Sequence, residues 1–246
     1  MLTAYETQTQ RLLQNPKAPN PLYATSDIDS WINTARGQLA GEGECIRAQG
    51  SLVLTQGVNL YSFASITFPT SSSVSGIQGV INVRTAMFNV ASGLQWMRPR
   101  PFEWFSFYEL NSPVYLQTAN QGPPAVWAQY GQGVNGTIYV SPVPDQTYTI
   151  SADCVCYPIN LVSDSTVEAI PYLWTDAVPF FAAYFALLSA QVGQRQAEAD
   201  RMFQRYQEFV NRARRFATPS VLPGLYPQQA NPTRANQLGV GGGGNQ

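Results

Sequence analysis

The apolar residues of this chain change their period twice, and that change limits the fold more than any other feature. Ile28, Trp31, Ile32, Ala35 and Leu39 recur at three- and four-residue spacing, the mark of a helix with one buried stripe. From about Arg47 the pattern alternates instead. Leu52 and Leu54, then Val58, Leu60 and Ser62, stand around Gln56-Gly57 and predict a hairpin or two edge strands. Residues 77–90 put Ile77, Gly79, Ile81 and Val83 on one face and Gln78, Val80, Asn82 and Arg84 on the other. Thr137–Val140 and Tyr148–Tyr157 are rich in β-branched and aromatic residues, as strands are. Past Asn160 the helical spacing returns.

Turn clusters at 70–75, Gly122-Pro123-Pro124, Asn135-Gly136 and Pro142–Asp145 separate the strand segments. Short strands at this spacing predict an antiparallel sandwich or barrel, not a parallel sheet with crossover helices. The expected fold class is therefore α+β: a helical bundle formed by N- and C-terminal helices, with an inserted antiparallel β-sandwich or barrel module. The expected divisions are residues 1–46 and 161–217 for the two helical parts, 47–160 for the β-module and 218–246 for a C-terminal tail.

Within the helical parts, a short helix is expected over Ala4–Leu13, then a proline-rich loop to Tyr23. Ser26 is the expected N-cap of the second helix, with Asp27 and Asp29 in its first turn and Gly41 and Gly43 near its end. Tyr172–Gln191 is apolar nearly all round and should be buried on most sides, and Gly193 should break it. The last helix, Gln194 to Phe216, reads as amphipathic, with Met202, Tyr206, Phe209, Ala213 and Phe216 as its apolar stripe and Glu208–Arg212 as an i,i+4 pair. The aromatic stretch Phe102, Trp104, Phe105, Phe107 and Tyr108 is compatible with one helical turn.

Charge is scarce: 12 % of residues carry it, about half of the ~25 % usual in soluble domains. It is also uneven. The last helix has Arg195, Arg201, Arg205, Arg212, Arg214 and Arg215 against Glu198, Asp200 and Glu208, a local +3 within a chain of net charge −1. Such a helix is a phosphate-contacting face, a solvated outer face or a partner interface, and arginine enrichment favours the interface. The Pro-, Gln-, Asn- and Gly-rich residues after Pro219 bury too little surface to order alone and should need a partner to do so.

The sequence contains no histidine, which excludes imidazole-based triads and imidazole metal ligation. No side chain then has an unperturbed charge change near neutral pH, so assembly gated there is not expected. Cys45, Cys154 and Cys156 are too few for a disulfide scaffold and are expected to be buried thiols. Gly131-x-Gly133-x-x-Gly136 has the spacing of a dinucleotide fingerprint, but a strand follows it where a helix is required, so it reads as a turn. No cofactor and no metal site are expected. Neither is a membrane span or a secretory signal, so synthesis in the cytoplasm is the expectation. A glycan hydrolase using Glu103 and Glu109, or a carbohydrate-binding module using Trp104, are the competing readings.

Several phrases resemble the head–tail adaptor proteins of tailed bacteriophages. They are Asp27-Ile-Asp-Ser-Trp-Ile-Asn-Thr-Ala-Arg with Gly43-Glu-Cys-Ile-Arg; Ile138-Tyr-Val-Ser-Pro-Val-Pro-Asp with Tyr157-Pro-Ile-Asn-Leu; and Ile170-Pro-Tyr-Leu-Trp-Thr-Asp-Ala with Ala182-Ala-Tyr-Phe-Ala-Leu-Leu. Their shared order covers about Thr25 to Phe216 and is most similar to the tail tubular adaptors of short-tailed phages. The resemblance implies a virion protein assembled in the host cytoplasm. It implies a ring, commonly of about twelve copies, docked beneath the portal protein and receiving a nozzle or stopper. Genomic DNA would pass through its lumen without sequence-specific binding. It also implies portal docking by Arg212, Arg214, Arg215, Pro219, Pro223, Leu225 and Tyr226.

Overall fold

The computed structural model describes residues 1–15, 22–69, 75–90, 93–110, 120–189 and 195–217. Helix α1 spans Leu2–Leu13 and α2 spans Thr25–Gly43. The strands are β1 (Arg47–Leu54), β2 (Leu60–Ser62), β3 (Ile77–Val90), β4 (Gly93–Trp96), β5 (Arg98–Pro99), β6 (Val126–Tyr130), β7 (Thr137–Ser141) and β8 (Tyr148–Pro158). A helical turn, α3 (Phe102–Trp104), leads into a π-helical turn over Phe105–Leu110. The C-terminal helices are α4 (Ala177–Ser189) and α5 (Gln196–Ala217).

Among the described residues the strands form two separate sheets, ordered β1-β8-β3-β4 and β2-β7-β6-β5, so the module is not a closed barrel. All pairings are antiparallel except the two-residue parallel contact of β5 with β6. Of the two arrangements expected around Gln56-Gly57, the edge strands are found and the hairpin is not: β1 and β2 do not pair and are edge strands of different sheets. In the first sheet β1 buries Ala48, Leu52 and Leu54, and β8 buries Ile150, Ala152, Cys154 and Cys156.

Strict alternation fails along β3. Its buried residues are Val80, Val83, Ala86 and Phe88, because irregularities against β8 between Val80 and Asn82 and between Val83 and Thr85 insert a residue each time. A single inserted residue exchanges the two faces of a strand, so a pattern read without the bulges assigns the wrong one. One tie between the sheets is direct: the Val83 N–H donates to Gln129 Oε1 at 3.0 Å.

Helix α4 packs against α1, α2 and α5, and α2 also touches β8. Close approach of α2 and α5 relies on two small residues, since a Cβ on Gly43 would stand 3.2 Å from that of Ala213. Two boundaries differ from expectation. Ala24, not Ser26, is the N-cap of α2: the Asp27 and Ile28 N–H groups donate to its carbonyl, and Ser26 falls within the first turn. Tyr172–Trp174 form a separate 3₁₀ turn rather than the first turn of α4.

The segment between β8 and α4 is strapped to α2. Asn33 exchanges hydrogen bonds with the backbone of Leu161, and Arg36 grips Glu168. At its tip Asp164 accepts from the N-terminal ammonium, the Thr3 N–H and the Thr3 hydroxyl, which holds its carboxyl well below the usual carboxylate range.

Candidate interaction surface

Helix α5 presents two contrasting faces. Ala199, Tyr206, Val210, Ala213 and Ala217 are buried, with Met202, Phe203 and Phe209 half-buried beside them. Arg201, Arg205, Glu208, Arg212 and Arg215 are exposed and step by four, three, four and three residues, so they form one solvent-facing stripe. At 1.5 Å per residue the stripe is about 21 Å long. The other exposed residues between them are the amides Gln204 and Asn211 and Arg214, whose guanidinium is tied to α2.

The expected pairing of Glu208 with Arg212 does not occur. Glu208 instead accepts from Arg205 at 2.9 Å, one turn earlier. Arg201, Arg212 and Arg215 have no ion-pair partner among the described residues, which leaves the stripe strongly positive.

The helix itself is fixed at both ends. Arg195 donates to the Leu13 carbonyl and to Glu198 near the N-terminus. At mid-helix the buried Tyr206 hydroxyl donates to Glu42 at 3.1 Å, and near the C-terminus Arg214 Nε donates to the Glu42 carbonyl at 2.7 Å. Burial first, and then the Glu42 carboxylate, push the Tyr206 hydroxyl far above its ordinary pKa. Arg47, at the start of β1, pairs with Asp153 and donates Nη1 to the Ala217 carbonyl at 2.6 Å. The last helical carbonyl is thus satisfied by the β-module, and the chain leaves α5 from a fixed point.

Of the docking residues expected from sequence, Arg212 and Arg215 are exposed, while Arg214 is occupied in tying α5 to α2. Pro219, Pro223, Leu225 and Tyr226 lie outside the described residues. Phe216 does not belong to the buried stripe: it is 74 % exposed, and Ala217 faces inward in its place. Steps of alternating four and three average 3.5 residues and drift around a 3.6-residue helix, so the assigned stripe rotates out of the core by its last member. Phe216 instead leans on Trp174 with ring centroids 5.7 Å apart, near Tyr172 and Leu173, which are 85 % and 73 % exposed. This aromatic corner was not legible in the sequence, because Tyr172 and Leu173 read as part of a buried helix.

On the flank between α1, α4 and α5 lies an open groove of about 550 Å³, floored by Leu12, Pro179, Phe180 and Phe209 and rimmed by Arg11 and Asp176. Where α1 crosses the start of α2, Glu6, Asp29 and Asp164 crowd together. Burial, a hydrogen bond with Asp29 and the charges of Asp29 and Asp164 raise the Glu6 carboxyl above its ordinary value.

The residues proposed for other chemistry are placed differently. Phe102 packs between the rings of Tyr130 and Tyr139, at 4.4 and 5.1 Å, and Phe105 is buried. Trp104 lies under the Arg100 guanidinium at 5.5 Å, and Glu103 is exposed. Within this stretch Phe102 and Phe105 are therefore taken up by packing, whereas Phe107 is 72 % exposed. Gly131 and Gly133 adopt left-handed backbone in the loop joining β6 to β7, and a strand follows. Burial pushes the thiols of Cys45, Cys154 and Cys156 up to about 12, so all three are poor nucleophiles. Among the described residues no group of three acidic or cysteine side chains is placed to hold a metal ion. No described helix is long and apolar enough to cross a membrane.

Residues 5–227 match the sequence model of a family described as SU10 adaptor protein. No curated protein matches the chain.

Proposed function

The chain belongs to the SU10 adaptor protein family, structural phage adaptors rather than enzymes, and from that membership we propose that it forms a ring joining the portal to the tail. In this reading the helices of residues 1–46 and 161–217 make a bundle, and residues 47–160 a two-sheet sandwich carried on it. Copies of the chain, about twelve, continue the DNA channel, and the ring receives the next tail component. Its work is mechanical: no step of chemistry is assigned to any residue.

The observation that carries this reading is the build of α5. Its C-terminal turn is clamped to α2 by Arg214 and to β1 by Arg47, while Arg212 and Arg215 stay exposed beside Phe216. A fixed helix end bearing free guanidinium groups and an exposed ring suits a docking point, since arginine and aromatic residues are the side chains enriched at interfaces. The family match extends ten residues past α5, to 227, and so includes Pro219, Pro223, Leu225 and Tyr226. We assign the portal contact to Arg212–Tyr226, with the β-module facing outward or toward the tail.

Deleting residues 219–246 tests the assignment. Particles made with the truncated chain should lose it from the head–tail junction, as read by quantitative mass spectrometry and electron microscopy of purified particles. Full occupancy of the junction by the truncated chain would refute docking through this segment.

A further inference from the structure

One copy of the chain carries two charged faces that it leaves unmatched. The first is the α5 stripe, with Arg201, Arg205, Arg212 and Arg215 against the single carboxylate of Glu208. The second is the corner where Glu6, Asp29 and Asp164 meet. There the N-terminal ammonium answers Asp164, while Glu6 and Asp29 have no ion-pair partner among the described residues. One oxygen of Asp29, Oδ1, is buried with no hydrogen-bond donor facing it. Among the described residues no ion pair links the stripe to the corner within a copy.

We infer that these faces meet between copies: the arginine stripe of α5, through its N-terminal members Arg201 and Arg205, docks on the Glu6–Asp29–Asp164 corner of a second copy, head to tail, which leaves Arg212 and Arg215 to the portal contact. The ring reading proposed above supplies the setting on which this contact rests. Electrostatics pairs stripe with corner, because stripe against stripe or corner against corner would oppose like charges. A reciprocal two-fold pair would satisfy the same charges but stop at a dimer, so it is the ring reading that selects the head-to-tail form. Such heterologous contacts propagate, and they close into a ring when the rotation between copies allows. A nucleic-acid backbone fits the same stripe less well. The chain as a whole is at −1, and Glu208 interrupts the stripe at its middle. Buried thiols with raised pKa values leave the native cysteines poor targets for a thiol crosslinker, which gives the test a low background.

The test uses the full-length chain with Asp29→Cys and Arg205→Cys, singly and together, treated with a short bismaleimide. The double variant should give a ladder of covalent oligomers, and a mixture of the two single variants should give a heterodimer. Each single variant alone should stay monomeric, because position 29 never faces position 29. The ladder should fade in ~1 M salt, where screening shortens the reach of charge to about 3 Å. Dimers from either single variant alone, no ladder from the double variant, or a ladder indifferent to salt would each overturn the contact. Salt-sensitive binding of duplex DNA that is lost in Arg205→Glu/Arg212→Glu, with no ladder, would overturn it in favour of a phosphate-contacting face. Particles holding the double variant in multiple copies at the junction, yet giving no ladder, would overturn this contact while leaving the adaptor reading intact.

Discussion

Arg36, fully enclosed within α2, holds Glu168 through Nε and Nη2 at 2.8 to 3.2 Å, across 132 residues of sequence. Its Nη1 donates to Asn33 Oδ1 and to the Ile159 carbonyl, and Glu168 Oε1 also accepts the Ile170 N–H. The Tyr5 ring of α1 closes the site, and burial, followed by the charge of Glu168, raises its hydroxyl far above the ordinary value. One guanidinium thus joins the exit of the β-module, the start of the C-terminal helices and α2.

Removing either partner of this pair should be severe. Arg36→Ala strands a buried carboxylate and Glu168→Ala a buried guanidinium, and each should cost about 3–5 kcal/mol in urea denaturation. Replacing both by apolar residues of similar volume, as in Arg36→Met/Glu168→Leu, should recover most of the loss. A double variant as unstable as the singles would show that the backbone contacts to Ile159 and Ile170 matter more than the ion pair.

Gly136 serves space rather than backbone freedom. Its φ is −69°, which any residue adopts, but a Cβ there would fall 2.2 Å from the Phe63 ring. Gly136→Ala should therefore overpack the junction of β7 with the turn at Phe63 and cost about 1–3 kcal/mol. Adding Phe63→Leu should restore part of it. An alanine variant melting with the wild type would contradict the tight approach.

The carboxyl groups at the α1–α2 crossing predict opposite responses to pH. Glu6 has a raised value in the fold, so its contribution favours folding below the ordinary value of 4.5 and is lost as pH rises through the raised one. Asp164 has a lowered value, so its contact with the N-terminus contributes above 3.8 and is lost as pH falls through the lowered one. Glu6→Gln should then stabilise the chain at neutral pH by a few tenths of a kcal/mol, the usual size of a like-charge pair between neighbours, and bring no gain below about pH 4. Thermal denaturation of both proteins from pH 3 to 8 measures this. An equal shift at every pH would mean that the gain comes from helix propensity, not from charge.

Much of the architecture was legible in the chain itself, because it rests on local periodicity. The change of period near Arg47 and its return near Asn160 mark where α2 gives way to β1 and where β8 ends. Cys154 and Cys156 sit on a strand rich in β-branched and aromatic residues and are buried, as expected of free thiols there, while Cys45 is half-buried. Gly131 to Gly136 form a turn because a strand follows them, a fact plain from Thr-Ile-Tyr-Val. The candidate docking stretch was legible only as composition. Six arginines on one helix announce a charged face, but not which guanidinium is free.

Those assignments needed the tertiary structure, and the reason is that each depends on a residue distant in sequence. Arg214 is spent on Glu42, Arg47 on Ala217, and Arg36 on Glu168, all across more than 130 positions. The faces of β3 depended on bulges against β8, and the outward turn of Phe216 on a helix whose true period departs from the spacing of its apolar residues. Sequence by itself determined which segments became helix or strand, because backbone sterics and the burial of one face act within a few residues. Only the packed chain decided which charges were answered inside a copy. The stripe on α5 and the corner at Glu6 and Asp29 are what that packing left over.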